Sequence, residues 1–256
     1  MKNLIFSVAL ILGSINSLTA QDFYLPVSST SETAKSDYSK ALQAGENSNI
    51  GAFFDGLNSA VKTDPNFFMA YAYLSLAHTS FGQYEEAAEA IKPALAIDAA
   101  GFNEGEQILR KALQALDKNP KADVATFMAS LTAAYPKKAQ AHDLASICAT
   151  WISKDPSAAI QHTLRVLELR PEYGGGYNSL GYSYMALEKM DKAKAAFEKY
   201  IALAPEESNA YDSMAEYYMV NKDYAKSAEY YDKAAAMGGA GAKERADKAR
   251  EEMKGN

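Results

Sequence analysis

Between Tyr177 and Pro205 the chain reads YNSLGYSYMALEKMDKAKAAFEKYIALAP, and its pattern returns at a spacing of 34 residues. Tyr177, Leu180, Gly181 and Tyr184 fall at i, i+3, i+4 and i+7, one face of a helix. Ala193, Phe197, Tyr200, Ile201 and Ala204 form a second stripe of the same period. Pro205 ends it, because proline has no N–H to donate and its ring clashes with the preceding turn. Two amphipathic helices joined by a short turn make a hairpin. Such a hairpin cannot bury both apolar faces alone, so a chain that repeats it must stack one unit on the next.

One step forward along the chain, Tyr211, Met214, Ala215, Tyr218, Ser227, Tyr231 and Gly239 take the places of Tyr177, Leu180, Gly181, Tyr184, Ala193, Phe197 and Pro205. One step back, DPSAAIQHTLRVLELRP sets Ala159 and Pro171 under Ala193 and Pro205. The N-terminal half carries the same beat through Tyr71, Leu74, Ser75, Gly82, Tyr84, Ala87 and Ala94, and before them Ala41, Ala60 and Pro65. Gly181 and its equivalents Ala41, Ser75 and Ala215 are small, as are Ala87, Ala159, Ala193 and Ser227 on the second helix. Small residues at both places let two helix backbones approach closely. Glycine costs up to about 1 kcal/mol against alanine inside a helix, so close packing has to offset that loss.

This pattern resembles the tetratricopeptide repeat, W-x2-L-G-x2-Y followed by A-x3-F and P. The expected fold is all-α, an α-solenoid of stacked helix–turn–helix repeats with a C-terminal capping helix. The expected frames are 34–67, 68–101, a divergent 102–139, 140–173, 174–207 and 208–241. The frame slips by four residues in 102–139, Phe53 breaks the small-residue rule in the first repeat, and the first helix of 140–173 is expected two residues off, on Leu144, Ala145 and Cys148. Residues 242–256 form a charged helix with one thin stripe, Ala242, Ala246, Ala249 and Met253, which suits a cap. Residues 21–33, QDFYLPVSSTSET, have no helical period but carry Phe23, Tyr24, Leu25 and Val27, and are expected to lie as an arm against the first repeats.

Residues 1–20, MKNLIFSVALILGSINSLTA, have the layout of a secretory signal peptide cleaved after Ala20. The apolar run from Leu4 to Leu12 is short for a span, which needs roughly 20 residues. The expectation is an exported chain, periplasmic or secreted, with no membrane span after cleavage. Its net charge of −6 becomes −7 when Lys2 leaves with the leader. That balance offers no electrostatic footprint for nucleic acid. The lone Cys148, in LASICATWI, cannot form an internal disulfide and is expected to be buried. LPVSSTSETAKSDYSKAL, AVKTDPNFFMAYAYLSLAH and NAYDSMAEYYM resemble exported bacterial tetratricopeptide proteins of the Bacteroidetes type.

H-E-x-x-H, G-x-S-x-G and Walker-A signatures are absent from the sequence, so neither a catalytic residue nor a metal ligand nor a cofactor is expected. GGAGAK at 238–243 reads as a helix terminus. His78, His142 and His162 lie in different repeats, and His142 and Cys148, six apart on one helix, point to different sides. A solenoid of this kind has a concave inner surface. In the resembled family the first helix of each repeat lines it and holds a protein or peptide partner. Carried over by position, the partner-binding residues would be Tyr38, Leu42, Leu76, Thr79, Asn178, Tyr182, Met185, Asp212, Glu216 and Met219. The Lys, Arg and Asn clamp with which one subset of the family grips a carboxylate tail is missing: Asn209, Asp212, Ser213 and Glu216 stand there. Of the 17 tyrosines, 11 lie from Tyr173 onward, and the repeat pattern does not account for Tyr182, Tyr217 and Tyr230. The function expected is a non-catalytic scaffold for a protein or peptide partner. Alternatives are a self-associating envelope protein that uses exposed tyrosines, and an enzyme with an unrecognised site.

Overall fold

The computed structural model describes residues 23–255. The leader expected over residues 1–20 lies outside them. Among the described residues every regular element is helical. Hairpins are formed by α1 (Glu32–Glu46) with α2 (Ile50–Thr63), α3 (Phe68–Ser80) with α4 (Tyr84–Ala96), and α5 (Glu104–Lys118) with α6 (Ala125–Ala134). They continue with α7 (Ala139–Trp151) and α8 (Pro156–Leu169), α9 (Gly174–Ala186) and α10 (Met190–Leu203), and α11 (Ser208–Val220) and α12 (Tyr224–Ala236), and α13 (Ala242–Gly255) closes the stack. The two helices of each hairpin pack on each other and the second then packs on the next hairpin. The chain is an all-α helical-repeat solenoid.

Local chemistry sets the turns. In five hairpins one residue between the helices adopts a left-handed conformation: Ser48, Gly82, Lys154, Glu188 and Lys222, with φ from 55° to 73°. Ser48 and Gly82 are 34 residues apart, and so are Lys154, Glu188 and Lys222 in turn; the α5–α6 hairpin adds four residues between the two sets. The left-handed residue aims the next N–H back at the helix, as in Gln83 N to His78 O, Lys189 N to Tyr184 O and Asp223 N to Tyr218 O, at 2.9–3.0 Å. These bonds satisfy carbonyls that a helix end would otherwise leave unpaired.

Packing explains the glycine in mid-helix. A Cβ on Gly181 would lie 2.3 Å from the Phe197 ring, so the ring occupies the space a side chain would need. Ala41, Ser75, Ala159, Ala193, Ala215 and Ser227 are fully buried at equivalent places. The exception at Phe53 has a local answer. In the first hairpin the close approach is made by Gly56, whose Cβ would meet that of Ala41 at 2.8 Å. In the fourth hairpin α7 begins at Ala139, one residue ahead of the 34-residue frame where two were expected, and the trio expected to pack there, Leu144, Ala145 and Cys148, is buried. Ser146 faces α8 there, with its Oγ 2.6 Å from Thr163 Oγ1.

The arm crosses further than the first repeats. Leu25 is buried, and its N–H bonds to Gln140 Oε1 on α7. Ser28 donates from its N–H and its hydroxyl to Glu106 Oε1 on α5, at 2.9 and 2.8 Å. Ser29 Oγ donates to Asp64 Oδ2. Because α3 also touches α5 and α7, the first helices of these hairpins curl toward one another, and one continuous core runs from Leu25 to Cys148. The hollow of the N-terminal half is therefore largely closed, whereas the C-terminal hairpins hold smaller separate clusters. On α13, Ala242, Ala246 and Ala249 are buried against α12, while Met253 is half exposed and does not belong to the packing stripe.

Candidate functional site

The tight curl leaves an apolar cleft of about 430 Å³ between α1, α3 and α7. Leu42 of α1, Leu76 of α3 and Leu144 and Ile147 of α7 line it, with Phe53, Val166 and Tyr24 of the arm. At its rim stand three large apolar side chains that water reaches: Phe81 at 57 %, Trp151 at 51 % and Ile50 at 44 % exposure. The first and third lie in or beside inter-helix turns and the second ends α7. Exposed large apolar groups scattered singly need no explanation, but three around one cleft make a contact surface.

The charged groups of the cleft, Glu46, Asp143 and Arg170, lie together. Arg170 holds Glu46 in a two-pronged pair, Nη1 to Oε1 at 2.6 Å and Nη2 to Oε2 at 2.9 Å. Tyr24 OH donates to the same carboxylate at 3.3 Å. The Arg170 guanidinium also lies over the rings of Tyr173 and Phe23, at 4.6 and 5.2 Å from their centroids. Asp143, on α7, completes the group, and among the described residues no hydrogen bond reaches its carboxyl. Burial first, then the neighbouring Glu46 charge, push its pKa up to about 7, with Arg170 pulling the other way. An uncompensated acid on an apolar wall keeps its proton longer than one in water.

The residues assigned by position to a concave face separate into two sets. Tyr38 and Thr79 do not belong to any open face. Tyr38 is buried against Phe67 and Tyr73 and accepts from Gln140 Nε2 at 3.0 Å. Thr79 is buried, and its hydroxyl donates to Ser75 O. Leu42 and Leu76 are buried as well, but they form the wall of the cleft. The arm and the curl of the first helices cover what an open solenoid would present. The C-terminal set remains nearer to solvent. Tyr182 OH donates to Glu216 Oε2 at 2.8 Å and its ring meets Phe197 edge-on. Asn178, Met185 and Met219 are partly buried, Glu216 is exposed, and Asp212 is paired with Arg245 of α13.

Tyr182, Tyr217 and Tyr230 do not form an exposed tyrosine patch. Tyr182, Phe197, Tyr217, Tyr218 and Tyr230 follow one another at centroid distances of 5.2–6.4 Å, a run of rings linking α9 to α12. His78 stacks on Phe54 at 4.5 Å and bonds to Gln83. His142 lies against His162 and Pro136 O. Cys148 is buried, and burial pushes its thiol up to about 12. Among the described residues no three His, Cys, Asp or Glu side chains gather as a metal site, and no helix is long and apolar enough to cross a membrane.

Trp151, Phe81, Ile50, Glu46, Asp143 and Arg170 are the site residues that position in the repeat did not reveal. Asp143 reads in sequence only as a neighbour of His142, and the cleft joins parts of the chain more than 100 residues apart.

The tetratricopeptide repeat family matches residues 175–207. Among solved structures, that of the APC/C hetero-tetramer Cut9–Hcn1 superposes with a TM-score of 0.51 at 16 % identity, covering 85 % of this chain and 43 % of that one. Two MamA structures superpose more loosely, with TM-scores of 0.38 and 0.46 at 19 % and 17 % identity, covering 83 % and 65 % of this chain and 95 % and 96 % of theirs. No curated protein matches in sequence. None of these likenesses bears on the Bacteroidetes-type resemblance.

Proposed function

The chain carries a tetratricopeptide repeat and folds as an α-solenoid, and from that premise we propose that it is a scaffold whose partner is a protein segment held in the apolar cleft. The exposed rim of Phe81, Trp151 and Ile50 around a recess of about 430 Å³ carries this reading. Apolar and aromatic anchors set in a pocket are what peptide-binding surfaces use. In this reading the chain holds its partner and performs no chemistry of its own. Export belongs to the same proposal and is supported by the leader-like layout of residues 1–20. N-terminal sequencing of the chain from its native envelope fraction tests it, with Gln21 as the expected first residue.

Photo-crosslinking tests the site. A benzophenone side chain at position 81 is expected to trap a protein that the same group at position 164 does not, Leu164 being also apolar and exposed but away from the cleft. Trapping at both positions alike, or at neither, overturns the assignment.

A further inference from the structure

The charged cluster of the cleft specifies more about its occupant than the apolar walls do. Resting on the scaffold reading above, we propose that the segment bound there places a lysine or arginine beside its large apolar side chains, and that Asp143 receives that cation. Charge balance makes the argument. Two carboxyl groups, Glu46 and Asp143, share one guanidinium, and both prongs of Arg170 are spent on Glu46. The acid left over, Asp143, has no hydrogen bond among the described residues and borders the open recess. The groups facing it are Glu46 from α1, Tyr73 from α3, Tyr24 from the arm, and Arg170 and Tyr173 from the segment after α8. None of them supplies a second positive charge. An incoming cation removes the cost of burying the ionised acid, so it binds where a neutral or acidic group would not. The exposed apolar rim extends the contact beyond the recess, which suits a chain segment rather than a compact small molecule.

The raised pKa of Asp143 gives the interaction a pH dependence. Below about 7 the acid is protonated and the cation loses its partner; above it the pair forms. The test is selection from a random dodecapeptide display library at pH 8, with the fluorescence of Trp151, the sole tryptophan, reporting occupancy. Selected peptides are expected to carry Lys or Arg within two positions of a large apolar residue. Their affinity should fall roughly tenfold or more in Asp143→Asn, the usual scale for a hydrogen bond to a charged group. The same fall is expected for wild type between pH 8 and pH 5.5, and Asp143→Asn should show no such dependence. Peptides that are apolar with no basic preference, or that bind Asp143→Asn equally well, overturn this inference and leave the scaffold reading standing. Saturation of the Trp151 signal by n-octylamine with no peptide enriched assigns the cleft to a small amine and overturns both. Absence of any saturable ligand in either arm also overturns both.

Discussion

A methyl group on residue 181 would press 2.3 Å from the Phe197 ring, and that ring is wholly buried. Gly181→Ala is therefore expected to destabilise the chain by about 1–2 kcal/mol in urea unfolding. Overpacking costs typically 1–3 kcal/mol, against which the gain in helix propensity is up to about 1. A smaller ring position, Phe197→Leu, should return part of the loss. This contact was legible in sequence because a small residue recurs at the place of Gly181 and an aromatic stands again at Tyr231, one repeat after Phe197. Asp143 was not legible, since what makes it unusual is Glu46 and Arg170, which the chain brings from far away. Its folded pKa, raised to about 7 from an ordinary 3.8, has a stability consequence with a definite sign. Between those values the folded state holds a proton that the unfolded state has released, so stability falls as pH rises through the window. Asp143→Asn removes that slope. Its stability relative to wild type should increase between pH 4 and pH 7 and level off above, measured by urea unfolding at a series of pH values.

The arm and α5 show how an element is placed by a single side chain. Glu106 is fully buried at the first turn of α5, where it completes a capping box with Asn103 and accepts from both the N–H and the hydroxyl of Ser28. Glu106→Ala is expected to lower stability by about 1–3 kcal/mol, as the part-buried donors of Ser28 and Asn103 lose their acceptor. It should also free residues 23–31 for limited proteolysis, whereas a variant on the exposed side, Glu104→Ala, should leave the arm protected. In sequence the arm's apolar content indicated packing, but the helices it crosses were decided by Gln140 and Glu106, which nothing local connects to Leu25 or Ser28. The left-handed turn residues were not readable either, since of the five only Gly82 is a residue type that marks that conformation.

Across the whole molecule the halves are built differently. From Leu25 to Cys148 one core includes the arm and joins first helices that are not neighbours in the chain, while from α9 onward the apolar packing falls into small clusters between adjacent units. Stability in such arrays follows local units. Amide hydrogen exchange is therefore expected to be slowest in α3 and α7 and at least tenfold faster in α11 and α12, with α13 faster still; uniform protection would contradict this. The solenoid itself was legible from the 34-residue beat. The narrowing of the hollow to a cleft was not, because the beat describes how each unit meets the next and says nothing of what lies along the axis.

The Glu46–Arg170 pair ties the end of the first rung to the end of the fourth, and Asn209 Nδ2 reaches Ser48 Oγ across from the sixth. A coil of stacked rungs behaves as a spring; one fastened to itself behaves as a bracelet. Pulled from its ends, this protein would resist first at the buckle and only afterwards lengthen as a coil.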